Sequence, residues 1–450
     1  MGLSSLEIYK KLPQTNCGDC GHPTCMAFAM QLAEDKASLD ECPDVSDEAR
    51  EALAAAAAPP ITDITIGVGD YERTLGEETE IFRHDKTFFN ETGVAISVSD
   101  AADAEAIEER VEQIDQLTFE RVGQVIEVDM VAVTNDSDDA ASFKEAVEIV
   151  ADNTDRILIL VSEDVEAVEN ALEVVADRNP LIYAATEDNY EEMTEVAKEN
   201  ECPLAVKGED LNSLAELAEK VKDLDYENLV IDSGARNASQ VLADQTVIRR
   251  KCINDKFRPF AFPTITFASG ETPAQEIAQA STYIAKYAGI VVLSETVELS
   301  EMLPVLTVRQ NIYNDPRVPV TVEPNQVNEI GEPDEKSPVI ITTNFSLTYY
   351  SVEGEIPSDA YIIPIDTDGT SLLTAWAADK FGGKKIAEIV NEETDIGDRV
   401  DHNKLTISGH VAVISGKLEE ESGWDVVVGP REASGLTNFI ANRWEDELEA

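Results

Sequence analysis

A chain of 450 residues, 43% of them hydrophobic, is long enough for two to four domains with ordinary buried cores and is not a disordered acidic tail. Its 34 Lys and Arg stand against 90 Asp and Glu, a formal charge of −56, which argues against a nucleic-acid role because phosphate contact depends on clustered cations. No apolar run reaches 18 residues, the first residues hold no apolar leader, and four of the six Cys fall in the first 42 residues; no membrane span, secretory signal or disulfide framework is expected, and the protein reads as cytoplasmic. The acids are spread among apolar patterns instead of forming one block. That suits a halophilic chain kept soluble by hydrated carboxylates in high salt, where the Debye length falls to roughly 3 Å at 1 M; an acidic mesophilic protein is the alternative.

The first element is a cysteine loop. Asn16-Cys17-Gly18-Asp19-Cys20-Gly21-His22-Pro23-Thr24-Cys25 leads into a helical stretch from Met26 to about Leu39 and then to Cys42-Pro43, giving C-x2-C-x4-C-x16-C. Three ligands from one loop and one from beyond a helix can surround a single cluster. Gly18 and Gly21 let the backbone wrap closely and aim N–H groups at sulfur, which stabilises negative charge and tunes potential. A [4Fe–4S] cluster on Cys17, Cys20, Cys25 and Cys42 is expected; tetrahedral zinc also suits four thiolates, and an intracellular setting disfavours a disulfide. His22 is read as exposed and non-ligating, since four thiolates complete the site. Ala52 to Ala58 with Pro59-Pro60 reads as a linker, and Cys202 and Cys252, which have no spacing partner, as small buried hydrophobes.

From about residue 62 to 325 short β-branched runs alternate with amphipathic helical patterns. The expected strands are Val94–Val98, Val128–Val133, Ile157–Val161, Leu181–Ala184, Pro203–Val206, Asn228–Ile231, Phe262–Thr266 and Gly289–Leu293. Helical stretches such as Ala104–Gln116, Ser142–Asp152, Val165–Arg178, Glu191–Asn200 and Leu211–Leu224 make βα units of them, so a closed (β/α)8 barrel is expected, with an open doubly wound sheet as the alternative. The strand ends offer Asp136, Asp232-Ser233 and Ser269-Gly270 but no His pair, metal-ligand set or phosphate loop, so the barrel shows no chemistry of its own. His84 reads as a loop residue, and Arg249-Arg250-Lys251 as a salt-bridged helix face, with an acidic partner or phosphate as the alternative.

After a Pro-, Gly- and acid-rich connection at Val327 to Ser337, alternation resumes at Pro338–Thr342, Tyr361–Asp366, Val411–Ile414 and Val426–Val428. Three stretches fall at or after strand ends, where open α/β sheets bind ligands: Thr342–Tyr350, Asp368–Trp376 and Val428–Ser434. Their hydroxyls and small residues suit a large, flat, mostly apolar ligand with peripheral amides, as a corrin ring presents; strand-end turns with capping hydroxyls are the plainer reading.

The chain resembles, over its whole length, the large (gamma) subunit family of the corrinoid iron–sulfur protein of the acetyl-CoA decarbonylase/synthase complex. The cysteine run beginning at Cys17 and the run Thr342–Tyr350 with Thr370-Ser371-Leu372-Leu373-Thr374-Ala375-Trp376 carry the resemblance. It implies a multidomain α/β protein: a [4Fe–4S] domain with linker (1–60), a TIM (β/α)8 barrel (61–326) and a Rossmann-like corrinoid-binding domain (327–450). Thr343, Asn344, Tyr349, Gly369, Thr370, Ser371, Leu372, Leu373, Thr374 and Ala433 are the candidate corrinoid contacts.

The family shuttles a methyl group as a methyltransferase component. It moves methyl from a methyltetrahydropterin (tetrahydrosarcinapterin or methanopterin) onto cob(I)amide and on to the nickel cluster of acetyl-CoA synthase, or the reverse. The cluster returns an electron to oxidised cobalt, and no side chain is expected to be catalytic. The implied partners are a small (delta) subunit, the pterin methyl donor or its methyltransferase, the nickel subunit and a low-potential donor such as ferredoxin. The sequence lacks Asp-x-His-x-x-Gly, so a base-off cobamide without a protein imidazole is expected, and His402 and His410 read as structural. Hinges are expected at Pro59-Pro60 and at Val327 to Ser337. A stand-alone [4Fe–4S] electron-transfer module is one rival reading, and a barrel enzyme acting on a pterin, with the terminal domain as a lid, is another.

Overall fold

The computed structural model describes all residues except 1–4, 34, 35, 47, 48, 51, 52, 54–58, 83–87, 89, 295, 296, 298–300, 316 and 450. Two short helices come first, Ser5–Lys11 and Cys25–Ala33. Ile8, Leu12, Phe28, Ala29, Val45 and Leu53 give them a small apolar core that includes Cys25 and Cys42. Contacts divide the chain into two compact units, residues 1–118 with 127–314 and residues 119–126 with 315–450.

In the first unit an antiparallel pair, β1 (Ile64–Ile66) and β2 (Arg73–Leu75), precedes β3 (Gly93–Ser99). A two-stranded excursion, β4 (Thr118–Arg121) and β5 (Gln124–Glu127), follows. Then come β6 (Met130–Thr134), β7 (Ile157–Val161), β8 (Leu181–Ala185), β9 (Leu204–Lys207), β10 (Leu229–Asp232), β11 (Ile265–Phe267) and β12 (Ile290–Leu293). β3 and β6 to β12 form one parallel sheet, ordered β10-β9-β8-β7-β6-β3-β12-β11. Its ends meet where the Ile231 N–H donates to Pro263 O at 2.9 Å and Ile231 bridges Thr264. The result is a near-closed eight-stranded barrel, not the open sheet.

Each expected strand of this region is present, because strands buried on both faces read as continuous apolar runs. The acidic composition also serves the helices. Asp103, Asp139, Asp164 and Asp210 each end a loop and accept a first-turn N–H, which satisfies donors that a helix start leaves open. Ile64, Ile66 and Leu75 of the β1–β2 pair pack with the inward residues Met130, Ile157, Ile159 and Leu181. Below that core the buried Asp129 carboxylate accepts the Val94 N–H at 2.9 Å and pairs with both Arg73 and Arg309.

The second unit is built on β13 (Asn328–Ile330), β14 (Val339–Thr343), β15 (Ala360–Ile365), β16 (Lys404–Ile407) and β17 (Asp425–Val428), in the order β13-β15-β14-β16-β17. β13 is antiparallel and the other four are parallel. Val339 and Ile341 belong to one apolar cluster and Ile340 to another, so both faces are covered, as strand alternation requires.

Two expectations are corrected here. The apolar run Val411–Ile414 is no strand but the end of a tight helical turn, Gly409–Ile414, capped by Ser408. Its Val411 is buried and its Val413 is 74% exposed; the strand lies earlier, at β16, where Thr406 interrupts the apolar letters. The segment Val327 to Ser337, expected as a hinge, is built into the sheet. β13 pairs with β15, Asp334 accepts from the Lys336 N–H and Ser337 Oγ, and the Asp401 N–H donates to Glu335 O.

Candidate functional site

The cysteine loop wraps as its glycines predict. Asn16, Gly18 and Gly21 take φ of 51°, 82° and 79°, left-handed values that glycine adopts without strain. Asn16 fastens the loop to the helix start: its Oδ1 accepts the Cys25 N–H at 2.9 Å, and its own N–H points at Cys25 Sγ at 3.3 Å. Cys42 follows the turn Leu39–Glu41, which Ser38 and Glu41 close as a reciprocal cap. All four thiols are free; Cys17 is exposed, Cys20 half-buried, Cys25 and Cys42 buried. Burial pushes the Cys42 thiol pKa up, and the neighbouring Cys20, Cys25 and Cys17 add to the shift, so the four sulfurs share one neighbourhood. A donor set of four thiolates with a backbone N–H aimed at sulfur fits an iron–sulfur cluster. His22 is half-buried, its Nε2 3.7 Å from Glu41 and its ring 5.3 Å from Phe28.

The second site is a crevice of about 390 Å³ at the C-terminal ends of β14, β16 and β17. β15 leaves β14 toward one edge and β16 lies on its other side, so the crevice sits at the topological switch point where such sheets bind ligands. Its walls are mostly apolar, including Phe345, Leu347, Leu372, Leu373 and Leu436, and its rim carries Thr348, Ser371, Ser408, His410 and Arg431. Of the residues expected to meet a corrinoid, Ser371, Leu372, Leu373 and Ala433 line this crevice. The others support it or lie elsewhere.

Thr343 is fully buried. Asn344 Oδ1 accepts from the Thr367 N–H at 2.9 Å, Thr367 Oγ1 at 3.0 Å and the Gly369 N–H at 3.2 Å, which shapes the loop after β15. Gly369 has φ of 64°, and a Cβ there would meet Thr321 and Pro319 at 2.6 and 2.7 Å. Thr370 Oγ1 donates to Thr367 O, and Ser371 Oγ donates to Thr374 Oγ1. Tyr349 packs edge-on against Tyr350 and lines a separate cavity with Gly123 and Thr321. Sequence reasoning missed Ser408 and His410 as crevice residues, and it placed Arg431 in a ligand-suited stretch without naming it as a contact. The signal for Arg431 was present, since Val428–Ser434 follows a strand and precedes a helix.

At the barrel mouth, Asp136 accepts from Ser99 Oγ at 2.6 Å and Thr134 Oγ1 at 2.8 Å. Asp232 accepts from Tyr183 OH at 2.7 Å and Arg236 Nη2 at 2.9 Å, and burial foremost, then Asp232, raises the Tyr183 pKa. These groups are committed to one another. His402 is held between Ser337 O and the Lys404 N–H, and His84 lies outside the described residues. Burial pushes the Cys202 and Cys252 thiols up to about 11 and about 12, as small hydrophobes. In the basic run, Arg249 turns inward to Glu78 and Lys251 pairs with Asp255.

A family model for CO dehydrogenase/acetyl-CoA synthase delta subunit matches residues 63–440, and one for an Fe-S cluster matches residues 12–43. The corrinoid/iron-sulfur protein large subunit of Moorella thermoacetica is 52% identical over 98% of this chain and 98% of its own length. The acetyl-CoA decarbonylase/synthase complex gamma subunits of Methanopyrus kandleri and Methanothermobacter thermautotrophicus are 37% and 36% identical, over 97% and 98% of this chain and 97% and 99% of theirs. With its cysteine loop, its barrel and its crevice-bearing second unit, the chain belongs to the family of the corrinoid/iron-sulfur protein large subunit and the acetyl-CoA decarbonylase/synthase gamma subunits.

Proposed function

We propose that this chain is the methyl carrier of its complex, taking a methyl group from a methyltetrahydropterin such as tetrahydrosarcinapterin or methanopterin and exchanging it with the nickel cluster of acetyl-CoA synthase. A bound base-off cobamide supplies a cobalt centre that accepts and gives up methyl, and a bound [4Fe–4S] cluster supplies low-potential electrons. In this reading Cys17, Cys20, Cys25 and Cys42 hold the cluster, and the Asn16 N–H at Cys25 Sγ favours added negative charge. Ser371, Leu372 and Leu373 would contact the corrinoid and exclude water along one wall of the crevice, and Ala433 would do so from another. Thr343, Asn344, Gly369, Thr370 and Thr374 keep the first wall in shape. The three parts are an N-terminal cluster domain, the barrel and a Rossmann-like C-terminal domain, working in the cytoplasm with a small (delta) subunit, the pterin-side donor, the nickel subunit and a ferredoxin-like reductant.

The observation that carries this reading is the apolar crevice at the switch point of a parallel sheet, in the same chain as a four-thiol loop. Anaerobic purification in high salt, with iron, zinc and cobalt counted on one sample alongside ultraviolet–visible and electron paramagnetic resonance spectra, tests it. About four irons, as a [4Fe–4S] cluster requires, with one cobalt per chain and a base-off cobalt(II) signal, is the expected result. Cys42→Ser should lower iron while cobalt stays. Iron without cobalt, even after added cobamide, would leave a stand-alone electron-transfer module, and zinc without iron would overturn the redox half.

A further inference from the structure

We propose that Arg431 reads the phosphodiester of the cofactor's nucleotide tail at the lip of the crevice, a step that rests on the corrinoid reading above. On a chain with 90 acids and 34 bases, many arginines are taken up by carboxylates, although among the described residues Arg178 and Arg258 bond only to backbone carbonyls. Arg73, Arg156, Arg236, Arg249, Arg309, Arg399 and Arg443 all have a carboxylate partner. Among the described residues the Arg431 guanidinium has no ion-pair or hydrogen-bond partner, although the residue lines the crevice.

Its backbone and the start of its stem are held, while the side chain itself is exposed. Ser408 Oγ donates to Arg431 O at 3.3 Å, and a Cβ on Gly409 would meet Arg431 Cγ at 3.1 Å, so the stem lies across a glycine that leaves room for it. The loop then enters the helix Leu436–Glu449, which carries no acidic residue in its first turn. A helix start is a favourable place for an anion. The carboxylate next to it in the chain, Glu432, is 3.3 Å from His410 Nε2. The crevice thus joins an apolar interior to a lip that carries the Arg431 guanidinium, with the Glu432 carboxylate, which also lines it, turned to His410; that fits a ligand with an anion beside an apolar group.

A complete cobamide has that form. Its peripheral amides are neutral, and the phosphodiester leading to the lower base is its tail's anion. A guanidinium can grip phosphate with two parallel N–H bonds, which an ammonium cannot reproduce.

The test is equilibrium binding of cobalamin and of cobinamide, which lacks the nucleotide and its phosphodiester, to the full chain freed of corrinoid. Wild type, Arg431→Met and Arg431→Lys are compared at one ionic strength. Arg431→Met should bind cobalamin about 10-fold more weakly, the scale of a lost charge-assisted bond, and cobinamide within about 2-fold of wild type. Arg431→Lys should recover part of the loss. Equal weakening for both ligands, or none for cobalamin, overturns the assignment. If wild type binds neither ligand, the corrinoid reading fails and takes this one with it.

Discussion

Asn344 does not line the crevice but holds the loop that leads to its Ser371. One buried amide oxygen accepts three bonds from Thr367 and Gly369, two of them from backbone N–H groups. Asn344→Ala should therefore strand those donors and cost about 3 kcal/mol, since each unsatisfied buried group costs about 1–3. Denaturant unfolding followed by hydrogen exchange at Thr367 to Ser371 measures it, and unchanged protection there would refute the role. The same residue shows what sequence can and cannot say about the site. Its position after a strand was legible, and so was the loop that it shapes. Whether its side chain faces ligand or fold was not, because that depends on the turn at Gly369, whose neighbours Pro319 and Thr321 come from a distant segment. The grouping of the four cysteines was legible in their spacing, and the structure brings the four thiols into one neighbourhood.

At the scale of elements, strands buried on both faces announced themselves, whereas β16 did not. Lys404-Leu405-Thr406-Ile407 has two apolar letters in four, and its neighbour Val411-Ala412-Val413-Ile414 has four; yet Val411 and Ile414 are buried while Val413 is exposed, a helical spacing. His402 sits just before β16 and ties it to two other elements. Its ring packs edge-on against Trp444 of the C-terminal helix at 5.4 Å, and its Nε2 lies 3.0 Å from Ser337 O. Because the Lys404 N–H donates to Nδ1, the neutral tautomer with its proton on Nε2 is the one that satisfies both contacts. Burial lowers the His402 pKa below its ordinary 6.5, against a smaller pull upward from Ser337 and Asp401. The unfolded chain therefore binds this proton more readily than the folded one. Stability from His402 is complete above pH 6.5 and is lost as pH falls below it toward the folded value. Between pH 7.5 and 5.5 wild type should lose stability relative to His402→Gln, which cannot titrate; parallel unfolding curves for the two would sink this account.

Packing accounts for the interior of the whole molecule and leaves its charge to be explained. The barrel core and the two clusters of the second unit are ordinary apolar interiors, and the buried arginines are matched by carboxylates. With 34 bases for 90 acids, most acids have no cation to pair with. Self-repulsion among them weakens the compact state, and only mobile ions can relieve it. Raising potassium chloride from about 0.1 M to about 1 M shortens the screening length from about 10 Å to about 3 Å. The unfolding temperature should climb steeply over that range and then flatten, because exposed repulsion is screened first and paired buried charges hardly at all. Sucrose at matched osmolality separates screening from simple exclusion of solute from the surface, which it shares with salt. An equal rise in sucrose, or a flat response to salt, would mean that the acids serve solubility alone.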